Sequence, residues 1–119
     1  MIHKASEDRA GLDFALPDAL FGFHAQQAVE KLLKALIAFR GSQYAHTHDL
    51  RQLRTRCIEL GEVLPELPWN PADLQIYAVD LRYDWTDPVP ETARQKMRDA
   101  VDILMEFVLE RAHLLGSGE

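Results

Sequence analysis

The run Phe23-His24-Ala25-Gln26-Gln27-Ala28-Val29-Glu30-Lys31-Leu32-Leu33-Lys34-Ala35-Leu36 decides the fold. Apolar residues at Phe21, Ala25, Ala28, Leu32, Leu36 and Phe39 repeat at i, i+3 and i+4, the spacing of one helix face. Val29, Leu33 and Ile37 add a second stripe beside the first. A helix so widely apolar has to be covered on more than one side, which makes it the centre of a bundle. Its polar strip is Gln27, Glu30, Lys31 and Lys34, with Gln27–Lys31 and Glu30–Lys34 as i, i+4 neighbours.

The other segments read as partners of this helix. Ile2, Ala5, Leu12 and Phe14 suggest a short, weakly amphipathic first helix, weakened by Gly11 and broken at Pro17. Asp18 is placed to begin the central helix, and Gly41, after Arg40, is placed to end it. Thr47 is the expected N-cap of a third helix, with Asp49 in its first turn. Leu50, Leu53, Cys57 and Leu60 form that helix's inner face, and Gly61 closes it.

Two prolines keep Glu62 to Trp69 from being a regular helix. Asn70-Pro71-Ala72-Asp73 is a start signal for a further helix lined by Leu74, Tyr77, Ala78 and Leu81. After the loop from Arg82 to Pro90 comes a final helix. Its apolar side is Ala93, Met97, Ala100, Val101, Leu104, Val108 and Ala112, and its wet side is Arg94, Arg98, Asp102, Glu106 and Glu110. No strand pattern or repeat appears. The expectation is an all-α, up-and-down bundle of four or five helices, one domain over residues 1–119, with a flexible tail from about 114.

Composition narrows the function classes. The net charge of −6 argues against a protein that coats nucleic acid indiscriminately. The charge is nevertheless uneven. His24 to Leu60 holds six basic and three acidic residues, whereas from Gly61 onward five basic residues meet twelve acidic ones. No apolar run approaches the ~18 residues of a membrane span. The charged N-terminus is unlike a signal peptide, and the lone Cys57, on a helix's apolar side, fits a reducing cytoplasm.

The sequence contains no Gly-rich phosphate loop, no zinc-type Cys/His spacing and no nucleophile elbow, so no cofactor or metal is expected. Two places carry chemistry. His48-Asp49 opens a helix, where Asp49 serves the helix dipole and His48 either makes a local hydrogen bond or stands near a phosphate. Arg82-Tyr83-Asp84-Trp85 lies at the mouth between two helices. Arg82 offers a planar fork for phosphate, or a salt bridge to an acid such as Asp80 or Asp84; Tyr83 and Trp85 offer stacking faces for a base.

Phe23-x-Ala25-Gln26-Gln27-Ala28-x-Glu30-Lys31-x-x-Lys34-Ala35-Leu36, then His48-Asp49-Leu50-x-x-Leu53, then Arg82-Tyr83 before the last helix, resembles the HEPN domain (higher eukaryotes and prokaryotes nucleotide-binding) over nearly the whole chain. The resemblance implies a helical bundle that pairs as a homodimer. It also implies a minimal nucleotidyltransferase as partner, in a toxin–antitoxin-like system. Many members are metal-independent ribonucleases marked by Arg, four to six residues, then His. Here Arg82 matches the Arg, but no His follows through Val89, and Asp84 stands where many relatives have Pro. Arg40 and His46 have the right spacing in the wrong part of the fold.

The favoured reading is therefore a binding subunit for nucleotide or RNA. Arg82, Tyr83 and Trp85 would form its contact loop, and Lys31, Lys34, Arg51 and Arg54 its basic side. The enzymatic alternative uses Arg82 with Tyr83 or His48 in place of the missing His. A third reading is a structural dimer without ligand. The expected dimer surface includes the central and final helices near the Arg82 loop.

Overall fold

The structure, a computed structural model, describes residues 2–13, 18–43, 47–68 and 91–114. Four helices account for most of them: α1 (Ile2–Gly11), α2 (Asp18–Phe39), α3 (Leu50–Glu59) and α4 (Glu91–Leu114). No strand occurs among the described residues, and the fold is an all-α bundle. The helix expected from Asn70, the Arg82 loop and the C-terminal tail lie outside the described residues.

Helix α2 is the axis of the assembly, as its double stripe requires. At 22 residues it runs about 33 Å, and α1, α3 and α4 all pack against it. Phe21, Ala25, Ala28, Val29, Leu32, Leu33, Ala35, Leu36 and Ile37 are buried, with Phe39 packed at the edge of the same cluster. Each fully buried aliphatic chain of this kind contributes roughly 1.5–3 kcal/mol. No described helix is long and apolar enough to cross a membrane.

Both glycine stops behave as read. Gly41 has φ +74° and Gly61 φ +103°, left-handed values that favour a residue without Cβ. Ser42 N–H reaches Ile37 O at 3.3 Å and Glu62 N–H reaches Cys57 O at 3.0 Å, the six-to-one bond of a Schellman motif. The start of α3 differs from expectation. The N-cap is Asp49, whose carboxylate accepts from Arg51 N–H at 2.9 Å. Thr47 sits two residues further out, its Oγ1 accepting from Asp49 N–H at 3.1 Å. An ionised carboxylate is the stronger acceptor at the positive end of a helix, so it takes the cap.

Helix α4 buries Met97, Ala100, Val101, Leu104 and Val108. Its wet side is less wet than expected at one end. Arg94 and Arg98 lie over the Phe21 ring, with Cζ 4.6 and 5.2 Å from its centroid. Arg98 also donates to Leu12 O at 3.0 Å, and Arg9 forks onto Asp102 at 2.6 and 3.1 Å, so α1 is tied to α4. At the other end Glu62, its side chain 1 % exposed, takes Arg40 Nε at 2.7 Å and meets Arg111 Nε in an ion-pair contact at 3.1 Å. Cys57 is fully buried, and burial chiefly, with Glu62 nearby, pushes its thiol up to about 12. It is a small core residue, inert as a nucleophile.

Candidate functional site

Two residues of the helix-defining run are polar and yet buried. Gln26 is fully enclosed and Glu30 is 4 % exposed, so both need internal partners. Gln26 Nε2 donates to Glu30 Oε1 at 3.0 Å and more weakly to His48 O at 3.4 Å, while Gln27 Nε2 donates to Gln26 Oε1 at 2.9 Å. Lys34 Nζ donates to Glu30 Oε2 at 3.1 Å. His48 Nδ1 lies 2.8 Å from Glu30 Oε1. The seam thus joins the polar side of α2 to the turn that starts α3.

The His48 contact has a chemical consequence. An ionised carboxylate only accepts, so Nδ1 carries the proton of this bond. The ring is otherwise open, with its side chain 70 % exposed. Nε2 is therefore free to accept a proton when the ring is neutral, or to donate a hydrogen bond when it is charged. The imidazole is held from behind by a buried acid. The expected local hydrogen bond of His48 is replaced by one that crosses to α2.

Burial pushes the Glu30 carboxyl up; hydrogen bonds from His48, Gln26 and Lys34 together outweigh it and hold the group below its usual range. A carboxyl held lower in the folded than in the unfolded chain stabilises the fold above the ordinary Glu value of ~4.3. That contribution is lost as pH falls through the folded value. Urea midpoints of the wild type should drop more steeply below pH ~4.5 than those of Glu30→Gln, which has no such proton to take up. Parallel pH profiles for the two proteins would show that Glu30 carries no linkage.

A second buried acid lies on α1. Asp8 Oδ1 is 3.0 Å from His24 Nδ1, and its Oδ2 accepts from Lys31 Nζ at 2.5 Å. The expected Gln27–Lys31 pair is accordingly replaced, with Gln27 turned to Gln26 and Lys31 to Asp8. Glu30–Lys34 forms as expected. The role of Asp8 was open to detection, because Ala5, Asp8 and Leu12 share one i, i+3, i+7 stripe of α1, an acid set among apolar neighbours. Glu62 follows Gly61 in irregular chain, where no period marks it.

Of the candidate site residues, Lys31 and Lys34 are each committed to an acid, and His48 joins Lys34 on Glu30. Arg51 and Arg54 are exposed on α3, while Arg56 reaches Ser42 Oγ at 2.9 Å and Glu59 at 3.6 Å. Arg82, Tyr83 and Trp85 lie outside the described residues. An open cleft of about 440 Å³ has Ile37 and Leu53 among its lining, with Thr47, Arg51 and Arg56 beside them. That volume is in the range of small-molecule sites. No group of three or more His, Cys, Asp or Glu able to hold a metal occurs among the described residues.

The described residues thus form a helical bundle with a buried amide–carboxylate seam on its central helix and a basic helix opening beside it. The family model described as the HEPN domain matches residues 17–112, and the chain belongs to the HEPN family. The match leaves out α1, although α1 supplies Asp8 to His24 and Lys31 of α2. No curated protein and no solved structure is matched by the chain.

Proposed function

We propose that the chain is a nucleotide- or RNA-binding HEPN subunit that works as a homodimer alongside a minimal nucleotidyltransferase, in a toxin–antitoxin-like pair. Family membership supports a nucleotide- or RNA-related function in general. The observation that carries the reading to a place on the molecule is His48, an exposed imidazole fixed by buried Glu30 at the head of a helix bearing exposed Arg51 and Arg54. In this reading Arg82 forks onto a phosphate, and Tyr83 or Trp85 stacks on the base.

Fluorescence anisotropy of labelled single-stranded RNA tests it. Arg82→Ala should weaken binding about tenfold, and higher salt should weaken wild type further, since phosphate contacts release counterions. Equal affinity of both proteins at every salt concentration would rule out Arg82 as the grip, and no binding by wild type would leave the ligand-free dimer. The nucleotidyltransferase part is tested by co-elution of the two purified proteins on size exclusion.

A second reading, metal-independent RNA cleavage, is favoured by the Glu30–His48 contact itself. A neutral imidazole whose Nδ1–H is held by a carboxylate presents Nε2 as a proton acceptor, the function of the His that the sequence lacks after Arg82. RNA cut in the presence of chelator by wild type but not by His48→Ala supports this reading. RNA left intact by wild type confines the chain to binding.

A further inference from the structure

Helices α3 and α4 carry matching outward stripes of opposite charge. On α3, Arg51, Arg54 and Ile58 fall within about 60° of arc, and on α4 Ile103, Glu106 and Glu110 do the same. All six are exposed, Ile58 at 52 % and Ile103 at 37 %. Among the described residues, none of the four charged side chains has an ion-pair partner. Their neighbours are otherwise engaged: Arg56 with Ser42 and Glu59, and Asp102 with Arg9.

Each stripe is mildly unfavourable on its own. Arg51 and Arg54 are like charges at i, i+3, and Glu106 and Glu110 are like charges at i, i+4, spacings at which side chains repel along a helix. An opposite charge laid against them turns repulsion into attraction. Isoleucines at the ends of both stripes add exposed apolar area that such a contact would bury.

The geometry points to a second copy of this chain as the occupant, with α3 of one protomer laid antiparallel on α4 of its partner. In that register Arg51 faces Glu110, Arg54 faces Glu106 and Ile58 faces Ile103. The offsets are 0, 3 and 7 residues on α3 and 0, 4 and 7 on α4, so both stripes span about 10.5 Å along the helix axis. Two-fold symmetry makes the contact reciprocal and doubles it. This assignment rests on the homodimer of the reading above and gives it a surface; it takes Arg51 and Arg54 into the dimer contact and leaves His48, at the head of α3, to meet the RNA.

Charge reversal tests it, read by light scattering and by the dimer dissociation constant. Arg54→Glu and Glu106→Arg should each weaken the dimer by about thirtyfold, and the double variant should return it to within about threefold of wild type. Added salt should weaken the wild-type dimer. Arg51→Glu with Glu110→Arg gives an independent pair should either first variant fail to fold, as read by helical circular dichroism. A wild-type monomer at micromolar concentration overturns both the dimer and this surface. A dimer indifferent to every single reversal, or single losses that the double variants do not restore, overturns the surface and leaves the dimer standing.

Discussion

Phe21→Ala should lower the unfolding free energy by about 3–5 kcal/mol, the largest loss expected from any single truncation of the bundle. The ring is 1 % exposed near the start of α2, part of the core cluster and covered by the Arg94 and Arg98 guanidiniums. Truncation opens a cavity and strips both cations of the ring face they cover. Arg98 also holds Leu12 O just past α1 and Glu91 at the start of α4, so the same side chain ties the ring to both helices. Phe21→Leu keeps most of the volume and loses only the ring, so its cost should be about half as large. Urea unfolding reads the difference as a shift in midpoint at constant slope. A Phe21→Ala midpoint within error of wild type would mean that α4 does not close over α2 at this point.

The second large effect is expected at Glu30. Glu30→Ala leaves the Gln26 amide, the Lys34 ammonium and the His48 ring without their common acceptor. Breaking a buried ion pair by removing one member costs about 3 kcal/mol. His48 is exposed and can turn to water, but Gln26 is fully enclosed and cannot. Glu30→Gln keeps an amide oxygen for Gln26 and His48 but turns an NH2 donor toward Lys34 in place of its acceptor, so about 2 kcal/mol is expected. The order Ala worse than Gln, measured by the same urea titration, separates a hydrogen-bonded seam from a simple ion pair. Equal losses would assign the whole effect to charge.

These two residues also show what could be read before the structure. Phe21 and Glu30 both sit in the run that decides the fold, and periodicity alone placed Phe21 on the inner face of α2. The same logic placed Cys57 in the core, and the φ requirement of a helix stop placed Gly41 and Gly61. Glu30–Lys34 was legible because both members lie on one helix, four residues apart. What periodicity cannot supply is the neighbour across the interface. Lys31 turns to Asp8, Arg94 and Arg98 turn onto Phe21, and Glu62 gathers Arg40 and Arg111, and each of these pairs joins segments distant in sequence.

At the candidate site the division is similar. His48 could be singled out as a reactive type at a helix start, but its tie to Glu30 depends on how the α3 turn lies against α2. Thr47 and Asp49 both satisfy the sequence rule for the cap of α3, and only acceptor strength and reach give it to Asp49. Arg82, Tyr83 and Trp85 are a reading of residue types alone.

The claim on which the functional account turns is that ligand meets the protein at the head of α3, where His48 stands over buried Glu30. Histidine-ring nitrogen–proton correlation spectra, recorded at fixed pH during titration with a short single-stranded RNA, test it most directly. The Nε2 resonance of His48 should move with saturation, while His3 and His113, exposed at the far ends of α1 and α4, stay in place. A His48 signal that does not move while RNA demonstrably binds would contradict the account.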